Sequence, residues 1–181
     1  MSKRPVVLET LRKRRSIRQF EARPVEAEKV DLLIEAALRS PTSRGRSPWE
    51  FIVVTEPELL GKLGQSKQHG SAFLAGAPLA IVVLADPETS DVWTEDCSIA
   101  AIVLQLAAEE LGLGSCWVQI RQRPHNAEQS AEAFIRDALQ IPASIKVECV
   151  IGIGYPNEEK AGHADETLLY DKIHRERYRA E

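Results

Sequence analysis

Residues 94–120 read TEDCSIAAIVLQLAAEELGLGSCWVQI. Between positions 97 and 111 the apolar residues cover nearly every face of a helix, which predicts a central buried helix rather than a surface one. Thr94, followed by Glu95 and Asp96, places a capping acceptor and two acids at the positive end of the helix dipole, so the helix is expected to begin there. Gly112 ends it, and 115–120 reads as a strand. A helix apolar all round has to be covered by other layers, and the flanking sequence supplies them.

Upstream, 49–55 and 78–85 are short runs of Val, Ile and aromatic residues bounded by prolines and charges, hence strands, with a short helix expected at 59–65. Val30, Leu33, Ile34, Ala37 and Leu38 recur at helical spacing until Ser40-Pro41 stops them, which makes 41–48 a loop. Downstream, 127–139 is expected to be helical and 146–153 a strand. Helices alternating with strands predict one layered α+β or α/β domain over residues 1–181, with the polar 157–181 as a C-terminal extension.

The 181 residues are enough to bury roughly 70% of the unfolded surface without disulfides or a structural metal. Lys and Arg number 23 against 27 Asp and Glu, a net charge of -4, so a nucleic-acid partner is not expected. Three cysteines with no CxxC pair argue for reduced thiols, and the basic N-terminus lacks the apolar run of a signal peptide. No apolar run is long enough to span a bilayer, and the expected location is the cytoplasm, away from membranes.

Several enzyme classes drop out. Gly112-Leu113-Gly114 has Trp117, and Gly152-Ile153-Gly154 has Asn157, where GxGxxG needs its third glycine. GxxxxGK[ST] and GxSxG are missing. His69, His125, His163 and His174 show neither HExxH nor Cys/His spacing, so no metal site is expected.

What remains is Arg14-Arg15-Ser16-Ile17-Arg18-Gln19-Phe20, three guanidiniums and a hydroxyl within five residues. If the segment is extended, Arg14, Ser16 and Arg18 project to one side and can share a phosphate or another oxyanion; a solvated basic patch is the competing reading. The loop Pro41-Thr42-Ser43-Arg44-Gly45-Arg46-Ser47-Pro48 offers backbone amides and hydroxyls to the polar edge of a planar heterocycle, or is simply a helix-to-strand connection. Gly112 to Gln119 brings small residues that permit close backbone approach.

In this order, RRSIRQF, the PTSRGRSPWEF loop, a long apolar helix ending in GLGSCW, and IGIGYP resemble the FMN-dependent nitroreductase family over about residues 8–156. The resemblance implies an α+β fold with a mixed or antiparallel central sheet flanked by helices, built as an intertwined homodimer with FMN at the subunit interface. It also implies NAD(P)H as electron donor and ping-pong hydride transfer through flavin N5 to a nitroaromatic, quinone or related small-molecule acceptor. On this pattern Arg14 and Ser16 hold the phosphate, Arg15 lies near the ribityl chain and ring, and Arg18 sits beside N1 and O2 as an electrostatic stabiliser of the reduced flavin. Pro41, Thr42, Ser43, Gly45 and Ser47 match the loop that reaches the flavin from the other subunit. Trp117, Val118, Gln119 and Ile120 match the stretch whose backbone amides face N5 and O4. No protein side chain is expected to act as acid or nucleophile.

Two departures stand out. Gly45 and Ser47 replace the Asn and Gln of the family loop, and no arginine follows the GYP segment at 163–167, which leaves Lys172 or His174 to complete the phosphate site. Other readings stay open: a same-fold enzyme such as a reductive dehalogenase or a flavin-fragmenting enzyme, a non-catalytic flavin sensor, or an anion-binding protein with no flavin. The short segment 65–76 leaves little room for a closing lid and favours an open, promiscuous site.

Overall fold

A computed structural model describes residues 5–178; positions 1–4 and the last three residues of the predicted extension lie outside them. The order is α1 (Val6–Lys13), α2 (Ala27–Leu38), β1 (Trp49–Val54), α3 (Pro57–Gly64), β2 (Leu79–Ala85), α4 (Trp93–Glu110), β3 (Gly114–Gln119), α5 (Ala131–Leu139) and β4 (Lys146–Gly154). The four strands form one sheet in the order β1-β2-β4-β3, and every neighbouring pair is antiparallel. The expected α+β architecture is therefore present, in its antiparallel form.

Sequence explains the layering. The central strand LAIVVLA and the stretch CVIGIG of its neighbour β4 are apolar without alternation, as strands covered on both faces must be. On one face Leu33 and Ala37 of α2 and Cys97, Ala101, Leu104 and Ala108 of α4 pack on Leu79, Ile81, Val83, Cys149, Ile151 and Ile153. On the other, Leu60 and Leu63 of α3 and Ala131 and Ile135 of α5 pack on Ala80, Val82, Leu84, Val118, Ile120 and Val150.

Helix starts differ from expectation. Thr94 does not cap α4: the helix begins at Trp93, and no side chain caps it. Asp96 instead turns back to accept hydrogen bonds from the Ser90 hydroxyl (3.1 Å) and the Ser43 amide (2.8 Å). Helix α5 starts four residues later than its apolar pattern suggests. Asn126 Oδ1 accepts the amides of Glu128 and Gln129, both at 2.8 Å, which folds 126–129 into a turn, and Ser130 then caps through Ala133 N.

Helix α4 is central but covered on one side only. Its Cys97, Ala100, Ala101, Leu104 and Ala108 side is fully buried, while Ile99 (38%) and Ile102 (37%) remain exposed and Val103, Leu106 and Ala107 line a groove with the exposed Val6 and Val7 of α1. After β4 the chain doubles back along the arginine segment. Glu21 N donates to Tyr155 O, Asn157 N to Gln19 O, Lys160 Nζ to Ser16 O, and Arg15 to the Ala161 carbonyl. Gly162 then crosses so close to the Arg12 carbonyl that any Cβ there would collide with it. Beyond this point Leu168, Leu169, Tyr170, Ile173 and Tyr178 are all exposed.

Candidate functional site

The arginine segment is extended and lies between β3 and the returning chain. Ile17 N donates to Ser115 O (3.0 Å), and the buried Ile17 side chain fills the space over Gly114, where a Cβ would stand 2.8 Å from it. With Ile17 turned inward, alternation places Arg14, Ser16 and Arg18 together on one side. The Cys116 thiol reads out that side: burial pushes its pKa up, while Arg18, a bond with Ser16, Lys160 and Arg14 pull it down. Among the described residues neither Arg14 nor Arg18 is ion-paired to an acid. Glu109 feels Arg14 only through space and Lys160 is paired to Glu158, which leaves two unpaired guanidiniums and a hydroxyl, the donor set that a phosphate dianion fits.

Arg15, expected near the ribityl chain and ring, points the other way and holds the Ala161 carbonyl. Lys172 and His174 belong to the exposed arm, where the His174 ring packs on Tyr178 with centroids 4.4 Å apart. The basic side chain the fold delivers to Ser16 is Lys160, which sequence reasoning missed. Its signal was its place four residues past Pro156, on the strand-like return that pairs 155–161 with 15–21. Glu158 was missed as well. Its Oε1 accepts Arg18 N (2.5 Å), Gln19 N (3.3 Å) and Lys160 Nζ (2.8 Å); the bond from the Arg18 amide leads in holding its carboxyl below the usual range.

Strand β3 is an edge strand. Cys116 and Val118 are paired with Gly152 and Val150, and Ile120 N donates to Glu148 O (3.2 Å), so the amides at even positions point into the sheet. Those of Trp117 and Gln119 point off its edge. Of the four predicted amides, Val118 and Ile120 are therefore spent on β4, and their side chains are core.

The loop 41–48 lies elsewhere in the chain. Ser43 N is tied to Asp96 at the start of α4; Thr42 Oγ1 accepts Ser47 N (3.0 Å); and Arg44, Gly45 and Ser47 take positive φ of 54°, 65° and 48°. The arginine segment packs against Gly114, beyond the other end of α4. An 18-residue helix spans about 27 Å, which separates the loop from the arginine segment of the same chain.

Comparison with known proteins places the chain in a family. The Nitroreductase family profile matches residues 11–69 and 60–155. An FMN-dependent nitroreductase of Clostridium difficile R20291 superposes with a TM-score of 0.93 at 48% identity, covering 94% of this chain and 99% of that one. A protein of Archaeoglobus fulgidus assigned as an NADH dehydrogenase/NAD(P)H nitroreductase is 39% identical over 170 residues, 91% of this chain and 94% of its own length. The NADPH:FMN oxidoreductase of Vibrio harveyi shares the fold, with a TM-score of 0.81 at 21% identity, covering 98% of this chain and 80% of that one. By family match, sequence identity and fold alike, this chain belongs to the nitroreductase family.

Proposed function

We propose that this protein is an FMN-dependent, NAD(P)H-using oxidoreductase that works as a homodimer and reduces nitroaromatics, quinones or related acceptors. The observation that carries the reading is the group formed by the cations Arg14, Arg18 and Lys160 and the Ser16 hydroxyl beside the outward amides of Trp117 and Gln119. Arg14, Ser16 and Lys160 hold the phosphate end through charge-assisted bonds. Arg18 supplies the positive charge that favours a reduced, anionic ring. The amides of Trp117 and Gln119 donate to the polar ring edge with no titrating group involved. When bound, FMN supplies the redox chemistry, accepting hydride from NAD(P)H and passing electrons to the acceptor in a second half-reaction.

A second copy supplies Pro41, Thr42, Ser43, Gly45 and Ser47, since α4 separates this loop from its own arginine segment. The apolar surface of Val6, Val7, Ile99 and Ile102 and the exposed Leu168, Leu169, Tyr170 and Ile173 of the arm support such a dimer. The short connection over 65–76, which holds only the 3-10 turn Ala72–Gly76, supports an open site with broad acceptor choice over a dehalogenase or flavin-fragmenting specialist.

The test is the absorption spectrum of the purified protein followed by steady-state turnover. A yellow protein that oxidises NAD(P)H only when a nitroaromatic or quinone is present is the expected result. Bound flavin that NAD(P)H cannot reduce would make it a binding or sensor protein, and no binding of FMN, FAD or riboflavin would remove the flavin reading.

A further inference from the structure

Glu148, near the start of β4, is a carboxylate only 3% exposed. It is there because β4 carries a bulge. The register with β2 runs Val83 to Cys149 and then Leu84 to Val147, so Glu148 is the extra residue, and a bulge re-aims its side chain. Both ends of this residue grip the end of β3. Its carbonyl accepts the amides of Ile120 (3.2 Å) and Arg121 (3.0 Å), and its Oε1 accepts Gln119 Nε2 (3.3 Å).

Gln119 is in turn held on every side. Its Oε1 accepts the Trp117 indole N–H at 2.9 Å, and its Nε2 also donates to Arg121 O at 3.1 Å. The result is a chain from Glu148 through Gln119 to Trp117, running along the two residues whose amides face off the sheet. Burial pushes the Glu148 pKa up; the Gln119 bond and Arg121 pull it down, while Glu95 and Glu132 raise it further. Arg121 Nε stands 3.9 Å from Oε2, an oxygen with no hydrogen-bond partner among the described residues, and the Arg121 guanidinium also covers the Trp93 ring. An apolar residue at this position would spare the cost of desolvating a carboxylate, so stability alone does not account for the acid.

We propose that Glu148 is a positioning residue: acting through Gln119, it fixes the Trp117 indole and the outward amides of Trp117 and Gln119 so that they meet the flavin ring already aligned. The proposal rests on the FMN reading above. Beyond the Ser16–Ser115 bridge no strand pairs the outer side of β3 among the described residues, and an edge left free to twist would have to reorganise as charge develops on the ring.

The experiment compares Glu148→Gln, Glu148→Leu and Gln119→Leu with the wild type by two readouts. The first is the indole N–H signal of Trp117 in ¹⁵N-tryptophan-labelled apoprotein, where the bonded indole is slow to exchange. The second is the midpoint potential of bound FMN. Glu148→Gln keeps an acceptor for Gln119 and should match the wild type in both. Glu148→Leu and Gln119→Leu should expose the indole to exchange and weaken binding of reduced FMN about tenfold more than oxidised FMN, which lowers the two-electron potential by about 30 mV. A folded Glu148→Leu protein with wild-type exchange and potential overturns the proposal; if that variant does not fold, the same result in Gln119→Leu overturns it. Wild-type protein that holds no flavin overturns the functional reading instead, and the indole readout then decides whether Glu148 holds Trp117.

Discussion

Arg14 and Arg18 share a side of the segment but are assigned different tasks, so their substitutions should separate. Arg14→Ala removes a charge-assisted interaction worth about 1.5–3 kcal/mol, which predicts a roughly 10- to 150-fold loss of FMN affinity with turnover recovering at saturating FMN. Arg18→Ala should lower the potential and slow reduction by NAD(P)H even when FMN saturates. Affinity titration combined with redox titration distinguishes them, and an equal loss of affinity at unchanged potential in both would place both side chains at the phosphate. At the back of the same segment, Glu26 is held down to about 2 by the Tyr155 hydroxyl bond, its own backbone amide and Arg23, against an ordinary 4.5. A carboxylate with a depressed folded value contributes stability above pH 4.5 that fades as the pH falls toward 2. Tyr155→Phe should therefore make acid unfolding begin at higher pH, read by circular dichroism. At this scale the sequence was informative where spacing carries meaning: RRSIR alternates, and alternation alone groups Arg14, Ser16 and Arg18. Lys160 and Glu148 were hidden because their positions depend on pairings with distant chain.

Elements show the same division. The existence and type of four of the five helices and of all four strands followed from apolar periodicity and from prolines and glycines. The capping of α4 did not, because Thr94 lies inside the helix and Asp96, a first-turn acid as expected, bonds back to Ser43 and Ser90. Nor did the strand order β1-β2-β4-β3 or the bulge at Glu148, since both arise between segments far apart in sequence. The join between β3 and the arginine segment makes a sharp prediction. Gly114→Ala would put a Cβ 2.8 Å from Ile17 Cβ, and Ile17 cannot retreat from a packed core. Overpacking of this kind costs about 1–3 kcal/mol, so the melting temperature should fall and FMN affinity should fall with it, because the displaced residue lies between Ser16 and Arg18. Gly61→Ala, at a helical glycine with open space around the new Cβ, is the control that should leave both unchanged or slightly raise stability.

For the whole molecule, the central claim is that the two halves of the flavin site come from two copies of the chain. Its support is the length of α4, which holds the loop at 41–48 near one end and the arginine segment near the other, and the apolar surface on α1, α4 and the arm that a single chain leaves exposed. Composition hinted at this, since a helix apolar on every face requires cover on every face, but only the fold identified which side of α4 its own chain leaves bare. Sedimentation velocity followed at the visible absorbance of the flavin tests the claim most directly. The account predicts that all bound flavin travels with a species of twice the 20.1 kDa chain mass. Flavin sedimenting on a single chain would contradict it.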